Sequence, residues 1–269
     1  MSRRVLVTGA GSGFGRAMAA RFVRAGDRVL VSDVDGAAAA TVAKELGELA
    51  TAVTLDVTSD ASWADAIAWC EREWDGLDIL INNAGVGAGG RIEKVELADW
   101  DWIWDINVMG LVRGIRGTVP IFKRQRSGHI VNIASLAAIM NLPGMAPYNV
   151  TKGGVVALSE TLRYELEPYN VATTVVCPGF VRTNLTERMR TPDPAALKLT
   201  AKLMDASTVT ADDVAEMVFA AVRDKRFMVL THKEGRQSHR LKRFLPRVVD
   251  RRVREYWARL LPSMERGDA

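Results

Sequence analysis

Cysteine is scarce in this chain of 269 residues: Cys70 and Cys177 are the two, far apart in sequence. A disulfide framework or a thiolate metal site needs more ligands at closer spacing. Both read as small buried apolar residues in a reduced, cytoplasmic setting. Histidine is nearly as scarce: His129, His232 and His239 fall at no metal-ligand spacing, and no metal is expected. Long apolar runs are missing too. Val5-Leu6-Val7 is too short for a signal peptide, and no stretch approaches the roughly 18 residues of a membrane span. No Pro/Gly/Ser-rich linker, repeat or low-complexity tract divides the chain, which at this length can bury one large core.

Charge is short in one direction only. The net charge is +4, but residues 232–260 carry ten Lys/Arg against three Asp/Glu, so the rest of the chain is close to neutral. A protein that coats nucleic acid would spread its basic residues more widely, and no nucleic-acid partner is expected. The basic segment has apolar residues at helical spacing (Leu241, Phe244, Leu245, Val248, Val249, Val253, Tyr256, Trp257, Leu260 and Leu261), with Pro246 dividing it into two helical pieces. Such a stripe can lie on anionic lipid as a peripheral contact, or pack on its own body or a partner subunit.

Between these ends, β-branched runs alternate with helical patterns. Strands are expected at 4–8, 28–33, 50–55, 77–82, 129–134, 172–177 and 227–230; helices at 13–25, 37–46, 60–74, 100–123, 148–167 and 211–223. Near-continuous apolar strands such as Ile79-Leu80-Ile81 suit burial on both faces. The alternation predicts an α/β fold, a doubly wound parallel, Rossmann-like sheet. The chain is read as one domain over 1–231 with a basic helical C-terminal extension over 232–269.

Thr8-Gly9-Ala10-Gly11-Ser12-Gly13-Phe14-Gly15 joins the first strand to the first helix. Glycines allow a sharp turn and close approach of a ligand, and the helix N-terminus suits a pyrophosphate. Phe14 and Arg16 break the G-x-G-x-x-G dinucleotide spacing; a tight turn without a ligand would use the same residues. Asp33 ends the second strand, where a carboxylate can accept hydrogen bonds from ribose hydroxyls. Tyr148 and Lys152 stand four apart, on one face of a helix. A free tyrosine has a pKa of about 10; a neighbouring ammonium favours the phenolate and makes it a usable general acid/base. Ser135 precedes Tyr148 by 13 residues at a strand end, and Asn107 lies earlier in Asp105-Ile106-Asn107-Val108.

In order and spacing, Thr-Gly-x-x-x-Gly-x-Gly, Asn82-Asn83-Ala84-Gly85, Asn107, Ser135, Tyr-x-x-x-Lys and Pro178-Gly179-Phe180-Val181-Arg182-Thr183 resemble the short-chain dehydrogenase/reductase family over roughly residues 4–231. The resemblance implies an enzyme moving a hydride between a nicotinamide cofactor and an alcohol or ketone. It implies catalysis by Asn107, Ser135, Tyr148 and Lys152, with Asn107 holding a water near Lys152. It implies cofactor contacts from Gly9, Ser12, Gly13, Phe14, Gly15, Asp33, Asp56, Val57, Asn83, Ala84, Gly85, Tyr148, Lys152, Pro178, Gly179, Val181 and Thr183. Ser12 and Val34 stand where NADP-preferring relatives often carry a basic residue, so NAD is expected over NADP. The resemblance also implies a homodimer or homotetramer. The glycines continuing to Gly90 read as a mobile loop. Residues 182–209 read as a lid, whose leucines and methionines suit an apolar or bulky substrate. Alternatives are an NADP-dependent carbonyl reductase, an epimerase or dehydratase on the same scaffold, and a catalytically silent nucleotide-binding protein.

Overall fold

A computed structural model describes residues 2–265. Seven strands form one parallel sheet: β1 (Arg4–Thr8), β2 (Arg28–Asp33), β3 (Ala50–Thr54), β4 (Ile79–Asn82), β5 (Gly128–Ile133), β6 (Val171–Cys177) and β7 (Met228–Leu230). They lie in the order β3-β2-β1-β4-β5-β6-β7. The chain grows outward from β1 in one direction and then, from β4, in the other. At that reversal the connecting loops diverge and leave a crevice beyond the strands' carboxyl ends.

Strand side chains alternate between faces, and each face has its own helical cover. Val5, Val7, Val29, Val31, Ile79 and Ile81 pack with α1 (Gly13–Arg24), α2 (Gly36–Leu46) and α9 (Ala211–Arg223). Leu6, Leu30, Leu80, Ile130 and Val175 pack with α3 (Asp60–Trp74), α5 (Gly110–Gln125) and α7 (Ala146–Glu165). Each fully buried side chain of this size contributes about 1.5–3 kcal/mol, which is why the strands read as unbroken apolar runs. Cys70 and Cys177 belong to the second layer as free, buried thiols.

The helix expected over 100–123 is longer and not uniform. α4 (Leu97–Trp104) continues through a π-helical turn (Asp105–Met109) into α5. One wide turn shifts the register of the side chains, a feature often found where a helix serves a site, and it holds Asn107. The expected lid comprises a 3-10 turn (Asn184–Arg188) and α8 (Pro194–Asp205); the short α6 (Ala137–Met140) follows β5.

The basic tail folds as α10 (Lys233–Phe244) and α11 (Pro246–Glu265), separated at Pro246 as its sequence predicts. Its stripe has two fates. Val249 is buried, while Trp257 and the tail's Met264 approach Gly144 beside the lid. Phe244, Leu245 and Val248 remain exposed at the elbow. Among the described residues no helix is long and apolar enough to cross a membrane.

The expectation of a mobile loop through Gly90 is corrected. The Gly89 N–H donates to Arg190 O at 3.1 Å and the Gly90 N–H to Gly144 O at 2.8 Å, stitching three segments together. The Arg91–Asp193 ion pair, 3.0 Å and nearly buried, fastens the same loop to the start of α8. Glycine is needed at position 90 because its φ is +133° and a Cβ would meet Pro192 at 2.8 Å.

Candidate active site

The loops after all seven strands contribute to one cleft of about 940 Å³. Its glycine-loop end is fixed by a latch between neighbouring strands. The Thr8 hydroxyl accepts from the N–H groups of Asn83 and Ala84, both at 3.0 Å, and Asn83 Nδ2 donates back to Thr8 O at 2.8 Å. The close approach leaves no room for a side chain at Gly9, where a Cβ would stand 2.9 Å from Ala84 Cα. Thr8 escaped the sequence-derived list because its work is done on a strand 75 residues away.

Asp33 is buried at the end of β2 and lines the cleft. Its carboxylate accepts from Gly11 N at 2.9 Å and Asp35 N at 3.1 Å. Two oxygens offer about four lone-pair directions, so capacity remains for hydroxyls in the cleft. Gly11, also absent from the list, is required there: a Cβ would lie 2.9 Å from Asp33 Oδ2. Asp56 spends one oxygen on the Thr58 N–H and hydroxyl, at 2.9 and 2.7 Å, while facing the cleft beside Val57.

Of the other expected cofactor residues, Gly9, Ser12, Gly13, Phe14, Asn83, Ala84, Gly85, Tyr148, Lys152, Pro178, Gly179, Val181 and Thr183 line the cleft. Gly15 is not among them. A Cβ on it would lie 2.2 Å from Gly9 O, so it serves the packing of α1 against the loop. Asn107 also stands behind the wall, pinned mainly to Val86: its Oδ1 accepts from Val86 N at 2.8 Å, and its Nδ2 donates to Val86 O at 2.9 Å and to the Thr151 hydroxyl at 3.4 Å. Its connection to the cleft runs through Gly85. A Cβ there would fall 3.0 Å from Asn107 Oδ1 and 3.3 Å from Lys152 Nζ, so any side chain would fill the space between them.

Ser135, Tyr148 and Lys152 meet at the other end of the cleft. Ser135 follows β5, and its Oγ accepts from Ala137 N at 3.1 Å. One turn of α7 brings Lys152 beneath Tyr148, with Nζ 5.8 Å from the ring centre and donating to Ile133 O at 3.0 Å. Burial lowers the Lys152 pKa to about 8. The expected lowering of the Tyr148 pKa is not found: burial raises it, and the hydrogen bond with Ser135 opposes the rise only in part. A desolvated phenolate costs more than a desolvated phenol, so the protein alone holds Tyr148 as a proton donor. Among the described residues no group of three or more His, Cys, Asp or Glu gathers to hold a metal.

Beyond Tyr148 the walls turn apolar and rich in thioethers: Trp102, Met140, Met145, Leu185, Met189 and Met204. Two residues here come from the start of the tail, His232 and Glu234. His232 reaches the turn after β6, accepting from Gly179 N at 3.1 Å on Nδ1 and approaching Phe180 O at 3.1 Å with Nε2. No spacing signal could reveal a contact across 53 residues.

Comparison with known proteins identifies the family and the fold. The family model described as short chain dehydrogenase matches residues 3–194. A "CLA biosynthesis dehydrogenase/reductase" of Lactiplantibacillus plantarum is 35% identical, covering 86% of this chain and 88% of that protein. A short-chain dehydrogenase/reductase of Burkholderia phymatum, solved in complex with NAD, superposes with a TM-score of 0.85 at 33% identity, covering 90% of this chain and 93% of that one. A serine dehydrogenase complexed with NADP+ superposes with a TM-score of 0.76 at 30% identity, covering 84% and 93%.

Proposed function

The chain belongs to the short-chain dehydrogenase family, and from that premise we propose that it transfers a hydride between NAD(H) and a secondary alcohol or ketone with an apolar, bulky body. The observation that carries this is convergence: Ser135, Tyr148 and Lys152 face the same cleft as the glycine loop and Asp33. A dinucleotide is supported by the glycine loop, whose bare backbone lines the cleft at Gly9 and Gly13, and by the first turn of α1, which offers its dipole end to a pyrophosphate. Gly9, Ser12, Gly13, Phe14, Asn83 and Ala84 would hold the phosphate half, Asp33 the adenosine ribose, Asp56 and Val57 the adenine, and Gly85, Lys152, Pro178, Gly179, Val181 and Thr183 the nicotinamide half. The bound cofactor supplies or accepts the hydride.

The chain's own residues handle the oxygen and its proton. In reduction Tyr148 Oη donates a proton to the substrate oxygen, and the Ser135 hydroxyl orients that oxygen. The Lys152 ammonium stabilises the phenolate left behind and gives it back a proton, and Asn107 positions the wall through which Lys152 is then reprotonated from solvent. Oxidation reverses each role. Asp33 favours NAD because a carboxylate repels a 2′-phosphate. Methionine side chains adapt to irregular apolar shapes, which supports a substrate of that kind. Following nicotinamide absorbance with NAD or NADP over a chain-length series of secondary alcohols tests the reading. Turnover with NADP would overturn the Asp33 assignment and keep the chemistry; absence of turnover with both would favour a binding role.

The assembly proposed is a homodimer or homotetramer. The exposed Trp104, Met109, Val150 and Tyr164 on the α4–α5 and α7 elements support it, and light scattering in solution tests it. The setting proposed is cytoplasmic, a reading that the two buried, unpaired thiols support. The α10–α11 elbow, where Phe244 is 73% exposed beside Arg243 and Arg247, would allow peripheral contact with anionic lipid. Flotation of the protein with phosphatidylglycerol vesicles, against phosphatidylcholine alone, tests that contact.

A further inference from the structure

The turn at Pro178–Phe180 lies beside the reacting groups, yet it is a loop with few bonds of its own. Pro178 O accepts from Leu136 N at 2.7 Å and sits 3.5 Å from Ser135 Oγ, which anchors its first residue next to the catalytic serine. Its next two residues are held from the far side by one imidazole. Gly179 N stands 3.1 Å from His232 Nδ1, and Phe180 O stands 3.1 Å from His232 Nε2.

The partners dictate the state of the ring. A backbone N–H can only donate, so Nδ1 must carry a lone pair; a carbonyl can only accept, so Nε2 must carry the proton. The Thr231 hydroxyl, 2.7 Å from Nδ1, joins as a second donor. His232 is therefore a neutral ring of fixed tautomer, spanning a donor and an acceptor on successive residues. The fit is close: a Cβ on Gly179 would lie 2.8 Å from Nδ1. Gly179 is small because the ring occupies that place.

We propose that His232, the first residue of the C-terminal extension, is a positioning residue for cofactor binding, holding the 178–183 turn in the shape that receives the nicotinamide half. The opposite end of the cleft is built on the Thr8–Asn83 latch and Asp33, without contact to His232. Loss of the imidazole should loosen one end of the dinucleotide and leave the other unchanged. The proposal rests on the nicotinamide-cofactor reading above.

Binding to the full-length protein separates the possibilities without knowledge of the substrate. NADH and NADPH are titrated by fluorescence, and ADP-ribose, which lacks the nicotinamide, is titrated by calorimetry. The variants are His232→Leu, which keeps bulk and loses both hydrogen bonds, and His232→Gln, whose amide can accept from Gly179 N–H and donate to Phe180 O. We expect His232→Leu to weaken the reduced dinucleotide about ten-fold, as two lost hydrogen bonds to backbone groups would. ADP-ribose should stay within about two-fold, which also shows that the variant is folded. His232→Gln should recover most of the loss. Equal weakening of NADH and ADP-ribose, or failure of the glutamine to rescue, would make His232 merely structural and overturn the proposal; so would unchanged NADH binding in the leucine variant. A wild-type protein that binds neither dinucleotide would instead remove the cofactor reading, and the positioning role with it.

Discussion

The glycine-loop end of the cleft is built on the ends of the central strands, largely from residues near one another in sequence. Thr8, Gly9, Gly11 and Asp33 come within 26 positions, with Asn83 joining them across 75 residues, and their restraints run between side chains and backbone groups at strand ends. The Tyr148 end is assembled from segments 86–91, 135–148, 178–208 and 231–234, tied by bonds spanning 53 and 102 residues. The difference separates two tasks. A cofactor cradle tolerates little variation and sits on the most buried strands, whereas a substrate chamber can be reshaped by loops without disturbing the sheet. Perturbations at one end should therefore leave the other end's binding intact, and the largest of them test that separation best.

Tyr148→Phe should produce the greatest change. Removing the phenolic proton donor is expected to lower kcat by about 10²–10⁴-fold, while the dissociation constant for NADH stays within about two-fold of wild type. Near-full turnover in the variant would remove Tyr148 from the mechanism, and a parallel loss of NADH binding would show that the two ends are not separable. Asp193→Ala comes next. It removes the carboxylate from an ion pair whose side chains are 9% and 2% exposed, and breaking a buried pair on one side costs up to about 3–5 kcal/mol. Thermal unfolding should reveal this as a large drop in Tm. Replacing both partners by apolar residues should cost less than the single change.

A third test uses a group that belongs to neither end. His129 is buried on β5 and paired with the Thr174 hydroxyl at 2.8 Å, and burial lowers its pKa to about 4. The unfolded chain takes up that proton near pH 6.5. Between about 6.5 and 4 the unfolded state therefore binds more protons than the native state, and stability falls as pH falls through that window. The loss attributable to His129 is about 3 kcal/mol at most. Urea unfolding at pH 7 and 4.5 should show it, and His129→Gln should flatten the difference. An unchanged slope in that variant would assign the pH dependence to other groups.

The same asymmetry decided what was legible in the sequence. Strand order of apolar residues, the glycine loop, Asp33 and the Tyr-x-x-x-Lys pair depend on local period and spacing, so they could be read directly. The break at Pro246 was visible because proline acts on its own neighbours. Asn107 was legible as a residue but not in its setting, since a π-helical turn leaves no mark in an apolar pattern of period 3.6. The direction of the Tyr148 pKa went the other way because neighbouring charge can be guessed from sequence and burial cannot. Gly90 was misread for a related reason: a run of glycines looks loose until the segment that bonds its neighbour Arg91, 102 residues further along at Asp193, is in place.

Gly90 also offers the finest test of the separation. Its φ of +133° is disfavoured for any residue with a Cβ, and an alanine there would press on Pro192 and Val95, at 2.8 and 3.2 Å. Gly90→Ala should cost about 1–3 kcal/mol from backbone strain alone, less than the loss of Asp193 and in the same seam. Because that seam joins the loop after β4 to the lid, the KM for the alcohol should rise several-fold. NADH affinity should stay near wild type, because the Thr8–Asn83 latch and Asp33 lie outside the seam. A variant that unfolds more easily but keeps its KM would make the seam a brace for the fold alone. A variant that loses NADH affinity in step with KM would show strain passing from loop 86–91 through Gly85 to Lys152, and the two ends would then form one mechanical unit.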